Sequence, residues 1–167
     1  TPYAVAAASA ARQRGATVIG IANNAGSRLL ELADVAICLP TPAEVIAGST
    51  RMGAGTAQKI ALNMLSTMMA TRLGHVHDGF MVNVFADNLK LKGRARRIIM
   101  TIAECPEDEA AACLENAGGS VKAAILLAAG ADDPATAKNL LERAHDRLRP
   151  ALSMLRASAS TAQRNAS

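Results

Sequence analysis

The residues best equipped for chemistry lie between Glu44 and Thr67, in the run EVIAGSTRMGAGTAQKIALNMLST. Its first half, Glu44 to Thr56, holds Gly48, Gly53 and Gly55, the hydroxyls of Ser49, Thr50 and Thr56, and one cation, Arg51. Its second half is apolar at helical spacing, through Ala57, Ile60, Ala61, Met64, Leu65 and Met68. A glycine-rich loop that runs into a buried helix is a place to hold an anion. The free N–H groups of the first turn, the positive end of the helix dipole and nearby hydroxyls all favour phosphate, and glycine lets the backbone come close. The same residue types also make ordinary turns and N-caps, so the order of residues has to decide between the two.

The elements that must position this run read as follows. Pro2 to Arg14 is an alanine-rich helix, opened by Thr1 and Pro2 as N-cap and first helical residue and stopped at Gly15. Thr17 to Ala22 is a β-branched apolar strand. Asn23, Asn24 and Gly26 turn the chain, and Ser27 caps a short helix, Arg28 to Leu32. Val35 to Leu39 is a second strand, stopped by Pro40 and Pro42. Helix–strand–helix–strand order implies an α/β fold, a parallel sheet with helices on both faces. Ligands in such folds sit beyond the carboxyl ends of the strands, which puts Asn23 to Ser27 and Thr41 to Ser49 on the functional rim. The long helix from Gly53 to Leu73 is apolar on most of its circumference. It is therefore expected to be buried, behind the sheet or in a subunit interface, with Lys59, Asn63 and Ser66 on one stripe.

Downstream, Phe80 to Val84 reads as a short strand or loop, and Asp87 to Ala103 as an amphipathic helix. From Cys105 the pattern changes to short helices. Pro106 opens one, with Glu107, Asp108 and Glu109 at its positive end. Gly118-Gly119 stops it, Ser120 caps the next, and Asp132 or Asp133 caps a third that runs to about Arg147. The organisation expected is residues 1–104 as an α/β domain, 105–152 as a small helical bundle and 153–167 as a Ser/Ala-rich tail that frays. His75, His77 and Asp78 resemble a metal-ligand cluster but have no further ligand nearby, and read better as a polar loop with two partly exposed imidazoles.

Composition narrows the function classes. The 167 residues are half apolar, with one Tyr, two Phe and no Trp, and a formal charge of +4. Without a long basic block or aromatic stacking partners, nucleic acid is not an expected partner. The basic run Lys90, Lys92, Arg94, Arg96 and Arg97 reads as a solvated helix face. Cys38, Cys105 and Cys113 form no CxxC pair, which argues against a disulfide framework or a zinc site and for a reduced, cytoplasmic setting. No apolar run reaches the length of a membrane span, and the opening residues do not read as a signal peptide.

The ordered run E-x-x-x-G-S-T-R-M-x-A-G-T-A-Q-K-x-x-L-N-M-L-S-T closely resembles the sugar isomerase (SIS) domain of N-acetylmuramic acid 6-phosphate etherases. The glucokinase regulatory protein is a more distant relative. Thr1-Pro2-Tyr3, Gly15 to Ser27 (GATVIGIANNAGS) and Gly118 to Ile125 (GGSVKAAI) are similar to the same family, so the resemblance covers roughly Thr1 to Leu152. It implies a SIS-type three-layer α/β fold from which N-terminal strands are missing, so that this chain is expected to be the C-terminal part of a longer protein. The helix–Gly-Gly–helix pair resembles the ubiquitin-associated type of three-helix domain found at the family's C-terminus.

The activity implied is a lyase reaction in peptidoglycan recycling and amino sugar metabolism. The lactyl ether of N-acetylmuramic acid 6-phosphate is cleaved to D-lactate and N-acetylglucosamine 6-phosphate by elimination followed by addition of water. A base removes the proton beside the aldehyde of the open-chain sugar, an acid protonates the leaving lactate oxygen, and no metal or organic cofactor is required. The family's two catalytic glutamates match no position here, so no catalytic residue is expected in this chain, which alone should not turn over. The resemblance assigns substrate binding instead. Thr1 matches the threonine of a phosphate loop, Glu44 would meet a sugar hydroxyl or the opening ring, Ser49 and Thr50 would donate hydrogen bonds, and Arg51 would hold an anion or pair with Asp87 across a dimer. Gly53, Asn83 and Leu89 depart from the Lys, Asp and Glu common in the family, which leaves the exact sugar phosphate open. The partners expected are a phosphorylated amino sugar and a second copy, as a homodimer. Two other readings remain: a non-catalytic sugar-phosphate-sensing module, and an aldose–ketose isomerase, the latter disfavoured by the helical bundle.

Overall fold

A computed structural model of the chain describes residues 2–86 and 88–165, which divide into two compact units, residues 1–67 and 68–167. In the first unit, α1 (Pro2–Gln13) is followed by β1 (Ile19–Ala22), α2 (Arg28–Leu32) and β2 (Val35–Cys38), and α3 (Gly53–Arg72) begins here. The two strands pair in parallel, from Ile19 opposite Val35 to Ala22 opposite Cys38. Their connection is short because α2 lies hard against β1 at Gly20. A Cβ on that residue would stand 2.8 Å from Ala33 Cβ and 3.0 Å from the Leu29 carbonyl oxygen. Asp34 locks the start of the sheet, its Oδ2 accepting the Val18 N–H at 2.8 Å while Oδ1 pairs with Arg12 of α1 at 3.3 Å. The α/β class with a parallel sheet is thus as the sequence implies.

The long helix departs from expectation. Of its residues only Ala54 is buried, and Ile60, Leu62, Met64, Leu65, Met68 and Met69 are exposed. At roughly 100° per residue, Ile60, Met64 and Met68 mark one side of the apolar arc and Leu62, Leu65 and Met69 the other. So wide an arc exceeds what one packing face covers, and a two-stranded sheet offers too little surface to cover it.

The second unit carries β3 (Val76–His77), β4 (Phe80–Met81), α4 (Leu89–Ala103), α5 (Glu107–Asn116), α6 (Val121–Ala128), α7 (Pro134–Arg143) and α8 (Leu148–Asn165). Asp78 and Gly79 both take positive φ, 46° and 80°, so the β3–β4 turn has the twist of a tight antiparallel hairpin. The Asp-Gly dipeptide was its signal in the sequence. The hairpin also corrects part of the expected polar loop: His77 is buried at 8 % exposure, while His75 stays partly exposed as expected, its backbone carbonyl accepting the Val82 N–H at 2.8 Å.

One apolar cluster runs through this unit from Val82 to Leu155, with Ile99, Ile125 and Leu126 fully buried. Ile98 and Ile99 of α4 belong to it together with residues of the later helices, and the compact units part at residues 67 and 68. Past Pro150 no glycine or proline interrupts the run, Leu152 and Leu155 are buried in the core, and α8 continues to Asn165. Caps fall as predicted at Ser120, whose Oγ accepts the Ala123 N–H, and at Asp133, whose carboxylate accepts that of Thr136. Asp133 is held below the ordinary carboxylate range by that backbone bond.

Lys122 is the one buried cation among the described residues. Its Nζ donates to the Asp146 carbonyl oxygen at 2.7 Å and to Asp146 Oδ2 at 2.6 Å. His145 and Asp146 are both left-handed, with φ of 52° and 57°, so this ammonium fastens the strained turn between α7 and α8.

Candidate functional site

A cavity of ≈ 730 Å³ opens in the first unit at the carboxyl ends of β1 and β2, where the α/β topology directs ligands. Its wall is built by the β1–α2 turn, the segment after β2 and the start of α3. Glu44 and Thr50 line it, and so do Asn23, Ser27 and Gln58.

Glu44 has a defined partner. Its carboxylate accepts the N–H groups of Gly53 and Ala54, each at 2.9 Å. The Gly55 N–H goes to the Thr50 carbonyl at 2.8 Å and the Thr56 N–H to that of Met52 at 3.1 Å. The start of α3 therefore has its opening N–H groups satisfied from within the chain, and the anion at its positive end is Glu44 itself. The helix start read from sequence as a phosphate cradle is a carboxylate-capped terminus. These bonds, from Ala54 first and then Gly53, pull the Glu44 carboxyl below its ordinary value of 4.5. A Cβ at Gly53 would stand 3.2 Å from Glu44 Oε2, so a side chain there would press on the cap.

The other sequence-assigned residues scatter around this cap. Ser49 is half-buried in the loop turn, where its N–H donates to the Ile46 carbonyl at 2.9 Å, and it does not line the cavity. Thr50 is exposed at the cavity edge, and Arg51 is exposed away from the lining. Thr1 and Asp87 lie outside the described residues, and with them the expected phosphate-loop threonine and the Arg51–Asp87 pair. Of the departures from the resemblance, Asn83 and Leu89 are exposed in the second unit.

From the sequence, Asn23 to Ser27 are expected on the rim as a turn and a cap, with no ligand role, and Gln58 has no role assigned although the ordered motif contains it. Asn23 Nδ2 donates to the Leu39 carbonyl at 3.0 Å and the Ala54 carbonyl at 3.4 Å, tying the end of β2 to the start of α3. Its Oδ1 accepts from Gln58 Nε2. The one signal for Gln58 was its place one turn after Ala54, on the side of the helix that meets the sheet. Ser27 has the backbone of an N-cap, φ −71° and ψ 141°, but its side chain makes no cap bond, contrary to the sequence expectation. Its Oγ is buried and has no hydrogen-bond partner. No group of three or more His, Cys, Asp or Glu among the described residues is arranged to hold a metal ion, and no described helix is long and apolar enough to cross a membrane.

The chain resembles known proteins along most of its length. Residues 1–68 match the SIS domain. The chain is 46 % identical over 136 residues to an N-acetylmuramic acid 6-phosphate etherase of Rubrobacter xylanophilus, covering 80 % of this chain and 45 % of that protein. It is 52 % identical over 126 residues to the etherase of Symbiobacterium thermophilum, 75 % of this chain and 42 % of the relative. With that of Streptomyces avermitilis it shares 45 % identity over 152 residues, 91 % of this chain and 49 % of the relative. The chain thus spans about half the length of the curated relatives it matches.

Proposed function

We propose that the chain is part of an N-acetylmuramic acid 6-phosphate etherase with a SIS domain, as its likeness to those proteins supports, and that the intact protein is a carbon–oxygen lyase of that specificity. It would convert N-acetylmuramic acid 6-phosphate to D-lactate and N-acetylglucosamine 6-phosphate in the cytoplasm, in amino sugar metabolism and peptidoglycan recycling. The observation that carries this reading is the cavity at the strand ends, lined by Asn23, Ser27, Glu44, Thr50 and Gln58, in a SIS-like chain whose relatives bear that name.

In this reading residues 1–167 contribute the wall of the substrate site. Proton abstraction next to the open-chain aldehyde, and protonation of the departing lactate oxygen, need carboxylates with tuned pKa. Glu44 is poorly suited to either task. Its two oxygens are engaged by backbone N–H groups that hold it ionised and fixed. Its role is to brace the loop that carries Ser49, Thr50 and Arg51, with Thr50 at the cavity edge beside the sugar, Ser49 and Arg51 further along the same loop, and Thr1 at the phosphate. The exposed arc of α3 supports a homodimer in which one side of the helix meets a second copy and the other the remainder of its own domain.

The test is D-lactate release from N-acetylmuramic acid 6-phosphate by the intact protein, alongside Ser49→Ala and Glu44→Gln. Turnover in the wild type with losses in both variants is expected. Unchanged turnover and affinity in both would remove the site assignment. Binding of the sugar phosphate with no lactate released would favour a second reading, a sugar-phosphate-sensing SIS module, which the structural engagement of Glu44 also fits.

A further inference from the structure

The cavity wall holds two polar side chains whose bonding is incomplete, and neither belongs to the loop that the sequence singled out. The first is Gln58. Both contacts of Asn23 Nδ2 are to carbonyl oxygens, so the amide orientation of Asn23 is fixed: its Nδ2 must donate to them and its Oδ1 must face Gln58. Gln58 in turn must present an N–H to that oxygen. The amide is thereby held at the wall, with Oε1 making no hydrogen bond to any described residue. The second is Ser27, whose Oγ is buried and unpartnered beside the same cavity. A buried hydroxyl without a partner weakens the fold unless something takes up its bond. Because it makes no bond in its present rotamer, a turn about Cα–Cβ toward the cavity forfeits none.

The pair offers one acceptor, Gln58 Oε1, and one donor, the Ser27 hydroxyl. A neutral group that carries an N–H and a carbonyl on adjacent atoms matches both in kind. We propose that Ser27 and Gln58 read the acetamido group of the sugar, Gln58 accepting its N–H and Ser27 donating to its carbonyl, with Asn23 as the positioning residue that orients Gln58. The inference rests on the sugar-phosphate reading above and adds to it the residues that select an N-acetylated sugar over one with a hydroxyl at that carbon. It also accounts for a cap position that leaves its hydroxyl unused. Ser27 spends that hydroxyl on ligand, while the fold holds the short helix by the backbone bonds from Leu30 and Glu31 to the Ser27 carbonyl, at 2.8 and 3.2 Å.

The experiment is a binding titration of the intact protein with N-acetylglucosamine 6-phosphate and with glucose 6-phosphate, in the wild type, Ser27→Ala and Gln58→Met, with a thermal melt of each. Each variant is expected to lose about tenfold in affinity for the N-acetylated sugar, the size of one hydrogen bond to a neutral group, and to keep its affinity for glucose 6-phosphate. The Ser27→Ala melt should stay level or rise, because the substitution removes an unsatisfied buried hydroxyl. An unchanged preference for the N-acetylated sugar in both variants overturns the inference. So does an equal loss for both sugars, or a lowered Ser27→Ala melt with unchanged affinity, which would assign the hydroxyl to the fold through a bound water. D-lactate release that persists in any of these cases leaves the etherase reading standing by itself. A wild type that binds neither sugar phosphate removes the sugar-phosphate reading and this inference together.

Discussion

Residues 2–67 and residues 68–165 use similar apolar side chains to opposite effect. The first unit buries only Ala8, Val18 and Ala54 among its hydrophobic residues, and leaves Ile19 and Val35 of its strands and Ile60 and Met64 of its helix exposed. The second closes an uninterrupted core from Val82 to Leu155. The difference is topological. Short antiparallel helices joined by tight turns bury one another's apolar stripes locally. A parallel sheet needs several strands and layers on both faces before its interior is covered, and two strands cannot supply them. The unit that carries the candidate site is thus the one that leaves most of its apolar side chains uncovered by its own residues.

The sharpest way to break this comparison is to truncate matched residues. Ile125→Ala, in the middle of the bundle core, should cost about 2–5 kcal/mol in a denaturant melt followed by helical circular dichroism. Ile60→Ala, exposed on α3, should change that transition by less than about 0.5 kcal/mol. Equal effects would mean that the exposed arc is packed within the chain. A finer cut concerns Lys122. Replacing it with Ala removes two hydrogen bonds and the buried aliphatic stem, for a loss of about 2 kcal/mol. Lys122→Met keeps the volume and should cost less. If Met proved as damaging as Ala, the ammonium alone, with no share from the packed stem, would hold the left-handed turn at His145 and Asp146.

The smallest effect separates the units by pH. Burial pushes the His77 imidazole below its ordinary 6.5, against the opposing pull of Asp78. The folded second unit prefers the neutral ring, while the unfolded chain takes up a proton below that pH. The contribution is therefore complete above 6.5 and is lost as pH falls from there toward the folded value. Glu44 in the first unit is lowered from 4.5, so its contribution is present above 4.5 and lost as pH falls through its depressed folded value. Melts across this range should show the second unit softening first. His77→Asn should flatten the upper window and Glu44→Gln the lower one. A wild-type profile flat down to pH 4.5 would contradict the neutral, buried His77.

Much of the architecture is set by local signals. The two strands are marked by β-branched runs and prolines, the bundle helices by Ser120, Asp133 and Gly118-Gly119, and the resemblance to the etherases by the ordered motif from Glu44 to Thr67. Each depends on interactions within a few residues of chain, or on an order of residue types that chance rarely produces. Tertiary structure decided what local order cannot carry. Glu44 stands nine residues before Gly53, and only the fold of the intervening loop brings its carboxylate onto the helix start and fills the place expected for phosphate. Asn23 and Gln58 are thirty-five residues apart, and their amide pair exists because β1 ends beside α3. The burial of α4 with the bundle, and the exposure of α3 outside it, likewise depend on which surfaces are available to cover an apolar stripe. Periodicity specifies that such a stripe exists, and packing alone specifies its partner.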